Sequence, residues 1–375
     1  MRARSQPACA KYIVMTNPLP RSLLDADAAL HALHKRRHFS EYLNPINAQE
    51  ARKAFDAGAP APPFAYRELD WADEELRLLD QLKPPGDHPM GELLNRAIHR
   101  NRLLILALTL RTTEAFDALA REACWYPDDE LLVQAADQRP ASDRARFVLG
   151  AHDLVAALRA ALDERDMRDW ALELDPVMSA RVLVDGPKRL LKVNSRARFR
   201  ERDVRKLIVH EIEVHAQRSA NGARQSLKLF ASGTPDSLVT EEGLALYAEY
   251  LAGVQSPGTG WRQGLVVQAV DWARRMGFRE LYNRISDVGG RALAWGITQR
   301  IKRGLADPAV PGVYAKDVVY FVGFHQVKAW LEAGNPIENL YVGKVAIDDP
   351  VDEWIAEGWL SPQPVPSLFR RIAAV

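Results

Sequence analysis

At 375 residues the chain has room for one large domain or two smaller ones, and its 47% hydrophobic, 26% charged composition is that of a globular protein with a sizeable core. A formal net charge of +1 excludes any global attraction to nucleic acid or to a membrane surface. Two cysteines, Cys9 and Cys124, exclude a disulfide framework and a Cys-rich metal cluster, and fit a reducing compartment.

The N-terminal stretch "MRARSQPACAKYIVMTNPLP" carries basic residues without an apolar core, so no secretory leader is expected. "RSLLDADAALHALHKRRHFSEYL" (21–43) reads as one amphipathic helix, followed by a Pro/Ala-rich connector, "GAPAPPF" (58–64). Further helices are expected over 90–122 and 143–166. The most apolar run, "LLILALTL" (103–110), is far shorter than the ~20 residues that cross a bilayer. No membrane association is expected, and the expected location is the cytoplasm.

The pattern changes near residue 179. "SARVLV" and "RLLKVNS", separated by Asp185-Gly186-Pro187, predict a β-hairpin. In "RERDVRKLIVHEIEVHAQRSANG", Val204, Leu207, Ile208, Glu211, Ile212 and His215 define one helix face, and Asn221-Gly222 stops the helix. A second helix is expected to begin at Thr240 as N-cap, with Glu241 and Glu242 in its first turn, where the helix dipole favours acids. The rest reads as mostly helical, with loops at "SPGTG", "DPAVPG" and "GNP".

His210, Glu211 and His215 stand out within this order. The common zinc-hydrolase pattern H-E-x-x-H places its histidines at i and i+4, about 40° apart on a helix turning ~100° per residue. Here they stand at i and i+5, about 140° apart, and cannot share an ion on a regular helix. A π-bulge or loosened turn between 210 and 215 would bring them together, so a metal site here demands a distorted backbone. The alternative is a chance scatter on a solvated helix. Catalytic zinc commonly takes three protein ligands and leaves a fourth position open. Glu242 suits the third place, with Gly243 allowing the two ligand helices close approach. Compensation of the helix dipole is the alternative for these acids and fits Glu241 better. His34 and His38 form an i, i+4 pair with no third ligand in view, which reads as a surface helix.

Taken together, "HEIEVH", "NGARQ" and "TEEGLA" resemble the family of QEGLA-motif proteins, labelled flavohaemoglobin expression-modulating in bacteria. Its animal members are the microtubule-associated tyrosine carboxypeptidases, which resemble gluzincin-type H-E-x-x-x-H zinc peptidases. The likeness covers about residues 180–350, with "KRGL" (302–305), "KDVVYFVG" (316–323) and "GKV" (343–345) as further matches, and extends more weakly into the N-terminal half. Where the family has Gly and Thr after H-E-I, this chain has Glu213 and Val214; where it has the Gln of Q-E-G-L-A, this chain has Glu241.

The resemblance implies a mainly α-helical α+β fold: a gluzincin-like zinc-peptidase core, a small β-hairpin or sheet, and a helical N-terminal region. The expected division is an N-terminal helical segment and linker (1–65), a helical region packing on the core (66–170) and the catalytic domain (171–375). It further implies one zinc ion held by His210, His215 and Glu242, Glu211 as general base, and a peptide or protein C-terminus as substrate, perhaps with an aromatic last residue. Tyr320, Tyr247 and His325 are candidate oxyanion donors, with Tyr320 in a matching segment. Arg218, Arg224, Arg303 and Lys316 are candidates for holding the substrate carboxylate. Arg224, between the two ligand helices, and Lys316 are the expected contacts. The run "KRLLKVNSRARFRERDVRK" (188–206) is either a solvated basic face or a rim that attracts acidic peptides. Two other functions fit the same residues: a non-catalytic regulatory or binding protein that keeps the fold, and another zinc hydrolase, an endopeptidase or amidase.

Overall fold

The structure is a computed structural model that describes residues 18–141, 145–176, 178 and 180–370. Cys9 and the N-terminal stretch up to residue 17, residues 143–144 of the expected helix 143–166, and Ser179 of the expected hairpin lie outside the described residues.

The N-terminal half is helical. It comprises α1 (Arg21–Arg36), α2 (Phe39–Leu43), α3 (Ala48–Asp56), α4 (Ala72–Gln81), α5 (Pro89–Leu110), α6 (Thr113–Glu122), α7 (Asp129–Ala136) and α8 (Ala151–Asp163). Two expected helices are each divided. The 21–43 helix breaks at Arg37–His38, where the backbone turns extended and His38 Nε2 meets Asp185 Oδ2 at 2.6 Å on the distant hairpin. The 90–122 helix breaks at Arg111, which adopts a left-handed φ of 54°. Its guanidinium there reaches the carbonyls of Tyr42, Arg67 and Gly304, while the Thr112 hydroxyl accepts the Ala115 N–H to start α6.

The expected hairpin is present: β2 (Val182–Asp185) runs antiparallel to β3 (Leu190–Asn194), with Asp185 opposite Leu190. A third strand, β1 (Ala171–Asp175), pairs parallel to β3 in the order β1-β3-β2. Its sequence, "ALELD", is half exposed and too short to announce itself by alternation.

The central rod follows. α9 (Glu201–Leu207), a π-helix (Ile208–Ala216) and α10 (Gln217–Gly222) run on without a break. After α11 (Leu229–Ser232) comes α12 (Ser237–Leu251), buried over nearly its whole length as the molecule's inner helix. It starts one turn before the expected Thr240. The Thr240 side chain accepts the Ile347 N–H instead of capping a helix, and Glu241 and Glu242 lie past the first turn. The chain closes with α13 (Thr259–Ala273), α14 (Phe278–Gly289), α15 (Arg291–Lys302), a 3₁₀ turn (Ala315–Val318), α16 (Val319–Glu332), α17 (Ile337–Leu340), α18 (Val351–Ala356) and α19 (Ser367–Arg370).

α12 and α16 cross at a pair of glycines. A Cβ on Gly243 would fall 2.2 Å from the Gly323 backbone, and one on Gly323 would fall 2.0 Å from the Val239 carbonyl oxygen. Gly243 therefore serves the approach of α16, not that of the histidine-bearing rod as its position next to Glu242 suggested. The fold is α+β, mainly helical, with one small sheet. Among the described residues no helix is long and apolar enough to cross a membrane.

Candidate active site

The rod loosens because it is gripped from two sides. Ile212 and Ala216 pack into a core with Leu154, Leu158, Leu191 and Val193. Val209 and Val214 pack into another with Leu244, Ala248, Val327 and Tyr341. Serving both cores takes a wider turn than 3.6 residues allow, and a π-helix, bonded i to i+5, supplies it. Its backbone is also supported from outside, since the Tyr341 hydroxyl donates to the Glu213 carbonyl at 3.0 Å. The Glu213 side chain pairs with Arg165, so this residue tolerates the wide turn without the freedom of a glycine. The distortion demanded by the i, i+5 spacing is thus present, and the imidazoles of His210 and His215 lie edge to face, 4.8 Å apart.

Each imidazole is oriented by a buried carboxylate. His210 Nδ1 meets Glu249 Oε1 at 2.8 Å and His215 Nδ1 meets Glu241 Oε1 at 2.7 Å. With both Nδ1 atoms engaged, both Nε2 atoms face Glu242 Oε2, at 3.9 Å from His210 and 3.6 Å from His215. Two atoms bound at ~2.0–2.2 Å to one tetrahedral ion stand roughly 3.4 Å apart, so the observed convergence fits a single small cation after slight adjustment. His210, Glu211 and His215 also bring one ligand atom each within 4.8 Å of one another. The residues present therefore fit a zinc ion, with His210, His215 and Glu242 as ligands.

The surrounding charges agree. Burial works against a charged His210, but the Glu249 hydrogen bond and the carboxylates of Glu211, Glu249 and Glu242 outweigh it and lift its pKa to about 9. A field that favours an imidazolium favours a metal cation at the same place. Burial would raise Glu241, but Lys344, Arg218 and His215 hold it below the usual carboxylate range. Glu242 is held down likewise, chiefly by Lys316 and the two histidines against the cost of burial. Lys316 Nζ lies 3.2 Å from Glu242 Oε1, so the ammonium takes one oxygen and leaves the other to the imidazoles. Glu211 is buried, and among the described residues no hydrogen bond or ion pair holds its carboxylate.

The expected site residues divide clearly. His210, Glu211, His215, Glu242 and Lys316 come together. Tyr320, the second residue of α16, joins them: burial and the Glu242 charge push its phenol up to about 12, and Lys316 Nζ lies 5.5 Å from its ring centroid. Tyr247 stacks instead with Tyr250 and Phe324, and His325 with Phe321 and Phe324. Arg218 is fully buried, donating to Glu241 and to the carbonyls of Leu340, Gly343 and Val345. Arg224 is exposed and reaches Asn221 Oδ1 at 3.4 Å. Its neighbours Asn221 and Gln225 tie down the carbonyls of Tyr341, Val342, Ser361 and Pro364. Arg303 reaches Asn44 and Asp317. His34 and His38 turn to Asn101 and Asp185 and do not share a site. Within the basic run, Lys188, Arg189, Lys192 and Lys206 all have acidic partners.

Sequence reasoning missed Glu249, the orienting role of Glu241, and Lys344. Only Glu249 left a signal: it stands seven residues after Glu242, on the same helix face. Lys344 Nζ reaches Glu241 Oε1 at 3.0 Å from 103 positions away, which no local pattern announces.

Comparison with known proteins bears on the same region. A family model described as microtubule-associated tyrosine carboxypeptidase matches residues 54–375. Microtubule-associated tyrosine carboxypeptidase 1 of Homo sapiens is 28% identical over 207 residues, 54% of this chain and 43% of that protein. Its Mus musculus counterpart is 29% identical over 204 residues, 53% of this chain and 43% of that protein. Putative tyrosine carboxypeptidase MATCAP2 of Mus musculus is 30% identical over 155 residues, 40% of this chain and 30% of that protein. The matched stretch spans less than half the length of these curated relatives. With 54–375 covered by one family model, the chain belongs to the microtubule-associated tyrosine carboxypeptidase family.

Proposed function

We propose that the protein is a zinc-dependent carboxypeptidase that releases the last residue, tyrosine or another aromatic, from a peptide or protein, on a gluzincin-like core. The observation that carries this reading is the π-helix, which turns two histidines five positions apart toward one oxygen of Glu242. The family name supports the substrate class.

His210, His215 and Glu242 would hold the ion, the two imidazoles offering the Nε2 atoms that face the Glu242 carboxylate. Once bound, zinc would polarise the scissile carbonyl and acidify a water. Glu211 would take a proton from the attacking water and deliver it to the leaving amine; a buried carboxylate that, among the described residues, no hydrogen bond or ion pair holds is suited to both transfers. The Tyr320 phenol, with its pKa near 12, stays protonated at neutral pH and donates to the carbonyl oxygen as that oxygen gains charge. A metal held only for structure has no use for a free base beside its ligands and normally fills all four positions from the protein.

The test couples metal analysis of the purified protein to hydrolysis of peptides differing only in their last residue. One zinc per chain and release of a single C-terminal residue are expected. Glu211→Gln should keep the zinc and lose about 10²–10⁴-fold in turnover, the usual worth of a positioned base. A Glu211→Gln variant with full activity would remove Glu211 as the base, and a protein active without metal would remove the zinc.

A further inference from the structure

Three cations gather where α15 meets the turn into α16. Arg300 forks onto Asp317 through Nε at 2.6 Å and Nη2 at 3.0 Å, and Arg303 Nη2 approaches the same carboxylate at 3.6 Å. Lys316, next to Asp317 in the 3₁₀ turn, pairs with Glu242. Three positive side chains thus face two carboxylates.

Exposure sorts them by role. The side chains of Asp317 and Arg303 are 5% and 10% accessible and form the buried anchor. Arg300 is 44% accessible and Lys316 21%. Among the described residues Arg300 Nη1 has no acceptor, and Lys316 Nζ uses one of its three hydrogens, on Glu242. Lys316 Nζ lies 5.5 Å from the Tyr320 ring centroid, and Asp317, the next residue, carries the Arg300 fork, so the two spare donors flank the same turn into α16.

The chemistry of the leaving residue matches this arrangement. In a terminal residue the scissile carbonyl carbon and the carboxylate carbon are about 3–4 Å apart. A substrate whose carbonyl lies at the imidazoles therefore carries its carboxylate into the neighbourhood of Glu242, where Lys316 stands. A pre-oriented guanidinium edge and an ammonium make a strong receptor for such an anion. The fork onto Asp317 fixes Arg300 beforehand, so little side-chain entropy is lost on binding.

We propose that Arg300 and Lys316 form the receiving site for the substrate's terminal carboxylate, and that Arg300 sets the preference for free over blocked C-termini. The assignment rests on the carboxypeptidase reading given above.

The experiment compares kcat/KM for acetyl-Ala-Ala-Tyr and for the same peptide ending in a carboxamide, in the zinc-supplied protein and its Arg300→Gln variant. The wild type should favour the free acid by about 10- to 100-fold, the worth of a charge-assisted hydrogen bond. Arg300→Gln should collapse that ratio mainly by raising KM for the acid, with zinc content unchanged. An unchanged ratio in the variant overturns the assignment and leaves the carboxypeptidase reading standing. A wild type that cleaves neither peptide, or both alike, overturns that reading and the assignment with it. Should Arg300→Gln prove too unstable, Arg300→Lys keeps a charge against Asp317 but lacks the spare Nη1 donor. The same fall in ratio is then expected, and its absence counts equally against the assignment.

Discussion

Glu249 sits at the back of His210, its side chain 1% accessible, and meets Lys206 Nζ at 3.2 Å on its other oxygen. A carboxylate in this place selects the tautomer that offers Nε2 to a metal and makes the imidazole more basic. Glu249→Ala is therefore expected to weaken zinc binding by about 10- to 100-fold, measured by competition with a chromogenic chelator. Glu249→Gln, which keeps an acceptor for the Nδ1 hydrogen, should lose less. The four candidate residues were singled out in the chain by local motifs and the family resemblance these carry: His210, Glu211 and His215 lie within one stretch, and Glu242 is the second acid of a conspicuous "EEGLA". The residues that hold them were not. Arg218 contacts carbonyls 122 to 127 positions away, and that pairing is a property of the folded molecule alone.

At the level of elements, the sequence stated a demand and the fold meets it: histidines at i and i+5 require a wide turn, and a nine-residue π-helix is there. Other elements escaped local reading because tertiary contacts override helix propensity. The bond from His38 to Asp185 divides α1 from α2, and the Arg111 guanidinium, spread over three carbonyls, divides α5 from α6. The Gly243–Gly323 crossing matters most for the site, since α16 carries Tyr320 and Lys316 lies in the turn that feeds it. A methyl group on Gly323 would collide with the Val239 carbonyl, so Gly323→Ala should cost about 1–3 kcal/mol of stability. The measurement is chemical denaturation. Turnover should fall further than zinc affinity, because the helix that shifts carries Tyr320 and neither histidine.

Across the whole molecule, the helical N-terminal half is bound into the same body as the site. One core joins Leu23, Leu30 and Leu94 to Leu227, Phe230, Val345 and Trp354. Asp27, buried on α1, accepts the backbone N–H groups of Lys228 and Leu229 at 2.7 and 2.8 Å, between the rod and α12. Arg96 and Arg100 of α5 hold Asp236, the residue before α12. Asp27→Ala leaves two N–H groups without their acceptor and should lower stability by about 1–3 kcal/mol. Equilibrium unfolding checks the value, and hydrogen exchange at Lys228 and Leu229 checks its location.

The π-helix has one more implication, for what descent and engineering can do with this chain. Deleting any single residue from 212 to 214 would give the text the more familiar four-step histidine spacing. The wide turn is what absorbs that residue, so the shortened segment winds as an ordinary α-helix with both imidazoles still on one face and Arg218 still in register with the carbonyls at 340–345 that it now fastens. The odd spacing and the commoner signature are thus one codon apart, and the two histidines keep their meeting point on either side of that step.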